Sequence, residues 1–258
     1  TGTGSGANNT SFGRDALIAN TTGYENTAFG DAALRENLVG YKNTAIGRSA
    51  LVSSKGSNNM ALGYQSLYFN TTGNSNTAVG MTSAFRNVSG SNNTAIGYQS
   101  LFKNTTASRN IAVGGKALYE NTSGVYNTVV GIWSAASSTE ASYNTTLGTR
   151  TLQFNTTGSN NVAIGHQALC GVHQSQTGSN NIGIGLCAGG GGVAEVDGGF
   201  TDVYPQGHGT LTSGSDNVAI GINSLKNLTT GGYNVAVGIS ALSSNTIGNY
   251  STAIGFES

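Results

Sequence analysis

Five residues of one stretch carry side chains able to ligate a metal ion or grip a ligand: Glu195, Asp197, Asp202, Tyr204 and His208. They lie in LCAGGGGVAEVDGGFTDVYPQGHGTLTSGSD, Leu186 to Asp216, together with the single proline, Pro205. Carboxylates with an imidazole suit Ca²⁺ or a transition metal, but their spacing follows no metal-binding loop. The glycine run lacks the lysine and the strand-to-helix context of a phosphate loop. The stretch therefore reads as a surface insertion and a candidate recognition loop, since recognition concentrates on loops carried by rigid scaffolds. No cofactor or metal site is expected. No nucleophile, base and oxyanion group can be assembled from the sequence, so no enzymatic activity is expected either.

Two further chemistries are open to this composition. Cys170 and Cys187 are the only cysteines; they form either an extracellular disulfide or two separate thiols. Asn-X-Ser/Thr acceptors recur at Asn20, Asn70, Asn87, Asn104, Asn121 and Asn155, with others at Asn144, Asn227 and Asn249. They read as a ridge of N-linked glycans in a secreted protein, or as turn chemistry, because Asn-Thr-Thr-Gly suits both.

What positions these groups is a repeat. The glycine that closes the phrase Asn-X-Ala-X-Gly recurs fourteen times from Gly13 to Gly255. The step is 17 residues except for 16 before Gly63, 20 before Gly185 and 36 before Gly221. The repeat spans residues 1–258 as a single domain, with the loop insertion at 186–216. Within a unit such as Asn93–Gly97, alternation predicts a strand: Thr94 and Ile96 share one face, Asn93 and Ala95 the other. The first of those faces carries large apolar residues (Phe29, Ile46, Leu62, Ile96, Ile220), the second a demand for smallness (Ala28, Ala45, Ala61, Ala95, Ala219). Four residues after the glycine comes a leucine column (Leu17, Leu34, Leu101, Leu225), and then the turn.

A unit this short cannot fold alone. Burying two or three apolar side chains at about 1.5–3 kcal/mol each does not offset an ordering cost of about 1–2 kcal/mol per residue. The units must stack, each strand bonded to those of the coils before and after it, ~4.8 Å apart. The expected fold is all-β, a β-solenoid of about fourteen coils, roughly 65–70 Å long. With both strand faces restricted, either both sets lie inside a flattened coil, or one packs inside and the other against further copies around a threefold axis.

Eleven basic and eleven acidic residues give zero formal charge, so nucleic acid is not an expected partner. No apolar run is long enough to insert into a membrane. The column Thr10, Thr27, Thr44, Thr77, Thr94 and Thr128 has the look of an ice-binding face, but Met60, Ile111 and Val162 interrupt it.

At SNNTAIGYQSL, Ser91 to Leu101, the sequence resembles the left-handed parallel β-roll heads of trimeric autotransporter adhesins and the NTAIGYQAL arrays of phage and bacterial tail-fibre proteins. The Ala-Ile-Gly core with a small residue three positions later matches nearly every coil, although the adhesin coil is shorter. The resemblance implies a structural or adhesive extracellular fibre, on a cell surface or a virion, whose partner is another copy of itself in a trimer. The terminal segments are roughly complementary parts of one coil, from which head-to-tail stacking into a filament is expected. The alternative is a recognition module that engages a host surface, a glycan or ice through the insertion or a flat repeat face.

Overall fold

The computed structural model describes residues 6–171, 176–190 and 213–258. The chain is all-β, a β-solenoid, and falls into two compact units, Thr1–Ile132 and Trp133–Ser258. In the first, eight strands follow one another in parallel: β1 (Thr10–Phe12), β2 (Thr27–Phe29), β3 (Thr44–Ile46), β4 (Met60–Leu62), β5 (Thr77–Val79), β6 (Thr94–Ile96), β7 (Ile111–Val113) and β8 (Thr128–Val130). The second holds β9 (Thr145–Leu147), β10 (Val162–Ile164), β11 (Ile182–Ile184), β12 (Val218–Ile220), β13 (Val235–Val237) and β14 (Thr252–Ile254). Pairing sets like on like, as in Thr77↔Thr94, Ala78↔Ala95 and Val79↔Ile96.

Strands of three residues follow from what bounds them. The register glycine leaves each strand at a φ that L-residues avoid, +126° at Gly97, and turns the chain. Two corners then come in quick succession at left-handed residues, Gln99 (φ 54°) and Leu101 (φ 51°), with a third at Asn92 (φ 59°) before the strand. An L-residue in this region costs about 1–2 kcal/mol. Leu101 offsets that by burying its side chain completely, worth about 1.5–3 kcal/mol. The neighbouring coils hold all three corners: Leu101 N–H donates to the Ala117 carbonyl (2.9 Å), Gln99 N–H to Met81 (3.1 Å) and Asn92 N–H to Asn74 (2.9 Å).

Inside the first unit lie the alanine column, the leucine column and two columns of asparagine. One asparagine column precedes the strands: Asn93 Nδ2 donates to the Ala107 carbonyl (2.8 Å), and its own N–H is accepted by Asn76 Oδ1 (3.0 Å). The other is the asparagine that opens the Asn-Thr-Thr-Gly turn or its variants, such as Asn-Val-Ser-Gly at 87–90. There Asn87 Nδ2 donates to Asn70 Oδ1 (2.8 Å) and to the Gly90 carbonyl (2.9 Å). The glycine of that turn is needed for room, not for positive φ: a Cβ on Gly73 would lie 2.3 Å from both Asn70 Oδ1 and the Gly90 carbonyl oxygen.

In the second unit the ladder runs past the insertion undisturbed, Ile182 pairing with Val218 and Ile184 with Ile220. Two glycines stand where the repeat calls for larger residues, Gly183 in the alanine column and Gly189 in the leucine column. Leu169 leans over both, so that a Cβ on either would come within 2.7 Å of its side chain. The insertion is narrower than 186–216. Cys187 N–H donates to the His166 carbonyl (3.1 Å), Gly189 N–H to Ser224 (2.8 Å) and Asp216 N–H to Ser179 (3.1 Å), which puts both flanks on ordinary coil positions.

Candidate functional site

The strand alternation resolves into one buried and two outward columns. Ala95 is buried, while Thr94 is half-buried and Ile96 exposed. The flattened coil with both sets inside is thereby excluded: the isoleucine column is on the outer face of the sheet, and the interior column takes small residues, alanine in most coils, with Val129 and Thr146 also buried there. The residue after the register glycine also turns outward, as Tyr98 does, so three outward columns run along the coils.

In the first unit this face changes character along the chain. Its early rows carry Arg14, Asp31 and Arg48 beside Phe12 and Phe29. The Arg14 guanidinium grips Asp31 through two 3.0 Å hydrogen bonds, and Arg48 approaches Asp31 at 3.6 Å. The Arg14 hydrogen bond holds the Asp31 carboxyl below the usual carboxylate range. Later rows replace these charges with Tyr64, Met81, Tyr98 and Ile132, all exposed.

The second unit has an apolar face of its own over five consecutive paired rows, β10 to β14. Its rows are Val162, Ile164, His166; Ile182, Ile184, Leu186; Val218, Ile220, Ile222; Val235, Val237, Ile239; and Thr252, Ile254, Phe256. Only His166 and Thr252 are polar. Leu186, Ile222 and Ile239 are each more than 40% exposed (43, 42 and 46%). Monomeric soluble proteins rarely present contiguous apolar surface on this scale, and where they do it marks an interaction site. The threonine column shares the face, but Val162, Ile182, Val218 and Val235 make it aliphatic here, which does not suit a water-ordering surface.

The six acceptor asparagines do not form a glycan ridge. Asn20, Asn70, Asn87, Asn104, Asn121 and Asn155 are buried, and the amide nitrogen that would carry the sugar donates to the carbonyl three residues on, as Asn70 Nδ2 does to Gly73 (2.9 Å) and Asn155 Nδ2 to Gly158 (2.9 Å). A glycan on any of them would stop the coil from closing. Asn144 is buried as well, Asn227 half-buried and Asn249 exposed.

Cys170 and Cys187 are not bonded to each other; both are free and buried. They stand five and two residues after their register glycines, hence in different columns, and each thiol faces a glutamine of the preceding coil: Gln153 Oε1 at 3.9 Å and Gln167 Oε1 at 3.5 Å. Burial pushes the Cys170 thiol up to about 12 and raises Cys187 too. The folded chain thus keeps protons that the unfolded chain gives up near pH 9. Stability from Cys170 is complete below that pH and falls as pH rises from about 9 to about 12. We expect Cys170→Ala to flatten the alkaline side of the pH–stability profile, read from denaturation midpoints. Alanine already stands at the matching position, Ala136, so the variant should fold. We also expect native Cys170 to resist alkylation at neutral pH and to react at once in denaturant.

The loop residues Glu195, Asp197, Asp202, Tyr204 and His208 lie outside the described residues. Among the described residues no three His, Cys, Asp or Glu side chains converge to hold a metal ion, and no helix is long and apolar enough to cross a membrane. The outer apolar face is therefore the surface on which a functional reading can be built. No protein-family model, no curated protein and no solved structure matches the chain.

Proposed function

We propose that this chain is a structural, adhesive fibre element of the extracellular space whose outer sheet face packs against other copies of itself. The observation that carries the reading is the five-row, largely apolar face from Val162 to Phe256. Such a face has an axial period of about 4.8 Å, set by strand pairing. Only a partner with the same period stays in step with it over five rows, and a second copy has that period by construction. A flat membrane or an unrelated globular surface does not. The interior supports the same reading, because hydrogen-bonded asparagine columns, the one before the strands running coil to coil, make a stiff element.

The test is the oligomeric state of the full chain by sedimentation velocity, beside an Ile220→Asp, Ile222→Asp variant. Both positions are exposed, so the variant should keep its circular dichroism and melting point. A trimer that dissociates in the variant supports the reading. A wild-type chain that stays monomeric at micromolar concentration overturns it. Electron microscopy separates side-by-side association from end-to-end stacking, the other expected mode.

A further inference from the structure

On the stretch between turn and strand, tyrosines stack in pairs on successive coils. Tyr24 and Tyr41 lie with ring centroids 4.9 Å apart and planes 1° from parallel; Tyr233 and Tyr250 lie 5.1 Å apart at 5°. All four rings are exposed. This differs from the chain's longer aromatic stack, where Phe85 and Phe102 separate Tyr68 from Tyr119.

The geometry points to Tyr24–Tyr41 and Tyr233–Tyr250 as oxidative cross-linking sites, each a coil-to-coil staple made when a haem peroxidase with hydrogen peroxide acts on the fibre. Each phenol gives up one electron and its hydroxyl proton to become a phenoxyl radical. The two radicals couple through a carbon ortho to each oxygen, and both ring carbons then lose their hydrogens to the phenoxyl oxygens, restoring two phenols. Two hydrogen atoms leave in total, and one peroxide molecule takes them up to become two waters. Stacking presents the ortho carbons of neighbouring rings to each other, so the radicals meet without diffusion. Exposure gives the oxidant access and lets the rings tilt towards bonding distance, freedom that a packed core ring lacks. A phenylalanine has no hydroxyl to oxidise, so the Tyr68–Phe85–Phe102–Tyr119 stack cannot couple and serves as an internal control.

The experiment treats the full-length chain with peroxidase and peroxide, mixing unlabelled with uniformly ¹⁵N-labelled protein, and maps the products by peptide mass spectrometry. The expected result is Tyr24–Tyr41 and Tyr233–Tyr250 peptides lighter by two hydrogens, each wholly labelled or wholly unlabelled, with yields unchanged on dilution. Tyr41→Phe, which keeps the stack, should remove the first product and spare the second. Mixed-label products at these tyrosines, equal coupling of Tyr24 to Tyr64 or Tyr98, or no product from either pair would each overturn the proposal.

Discussion

Replacing Gly97 by alanine should destabilise the first unit by on the order of 4 kcal/mol, one of the largest losses a single methyl can cause here. Two effects act together. The residue sits at φ +126°, which L-residues rarely adopt, and its new Cβ would lie 2.6 Å from the Gly114 carbonyl oxygen and 2.7 Å from its carbon. Neither atom belongs to a flexible side chain, so relief requires parting two coils. In a stacked repeat, stability is close to a sum of units and nearest-neighbour interfaces. Damage at one interface therefore uncouples the rows before it from those after it. Denaturant unfolding of Gly97→Ala should show a lower midpoint and a shallower or two-step transition. Gly115→Ala is the matched control: a Cβ there meets nothing within 4 Å. Its change should stay within about 0.5 kcal/mol. Equal midpoints for the two variants would mean that the register glycine is not what keeps the coils together.

Much of this was legible in the residues themselves. The register glycine, the small Ala95 and the Leu101 column fix a stacked coil, since smallness at one position and bulk at another in most repeats can only come from neighbours of the same kind. The strands duly fall on Thr94–Ile96 and its equivalents. Which way Ile96 faces was open, because alternation separates two faces without saying which one the coil encloses. Closure of the chain around Ala95 and Leu101 decides it. Asn87 was harder to read: its Asn-Val-Ser-Gly, like Asn-Thr-Thr-Gly, is good turn chemistry and a good glycan acceptor, and both readings place the side chain outside. Only stacking turns it inward, where the amide finds its partners 17 residues back and three residues on. The left-handed backbone of Leu101 carries no sequence signal either, since that conformation normally advertises itself by glycine or asparagine. Leu228, fully buried at a position that is asparagine in most coils, and Gln176, bridged to Asn155 beyond the longer coil, show that the column accepts other residues where the coil length or its neighbours change.

Asn87→Ala is expected to cost about 2–4 kcal/mol, although it removes no apolar contact of note and would pass for a turn substitution by sequence alone. The side chain makes three hydrogen bonds: it donates to Asn70 Oδ1 and the Gly90 carbonyl, and accepts from Asn104 Nδ2. Alanine strands the Asn70 oxygen in a buried place where water cannot replace the lost donor, leaves the Gly90 carbonyl with one donor, Asn76 Nδ2 (2.8 Å), and leaves Asn104 with one acceptor, the Ala107 carbonyl. Leaving a buried polar group unpaired costs about 1–3 kcal/mol, more than the bond itself contributes. The chain holds a natural instance of this defect. Asn37 Oδ1 is buried without a partner, and the corresponding residue of the next coil is Ser54, whose hydroxyl turns to the Gly56 carbonyl (3.3 Å). Asn87→Ser should therefore fall between wild type and alanine. Thr72→Ala, in the same kind of turn but exposed, should be close to neutral. If denaturation midpoints place Asn87→Ala beside Thr72→Ala, the asparagine columns do not stabilise the coil, and the stiffness on which a fibre role depends must come from the backbone ladder alone.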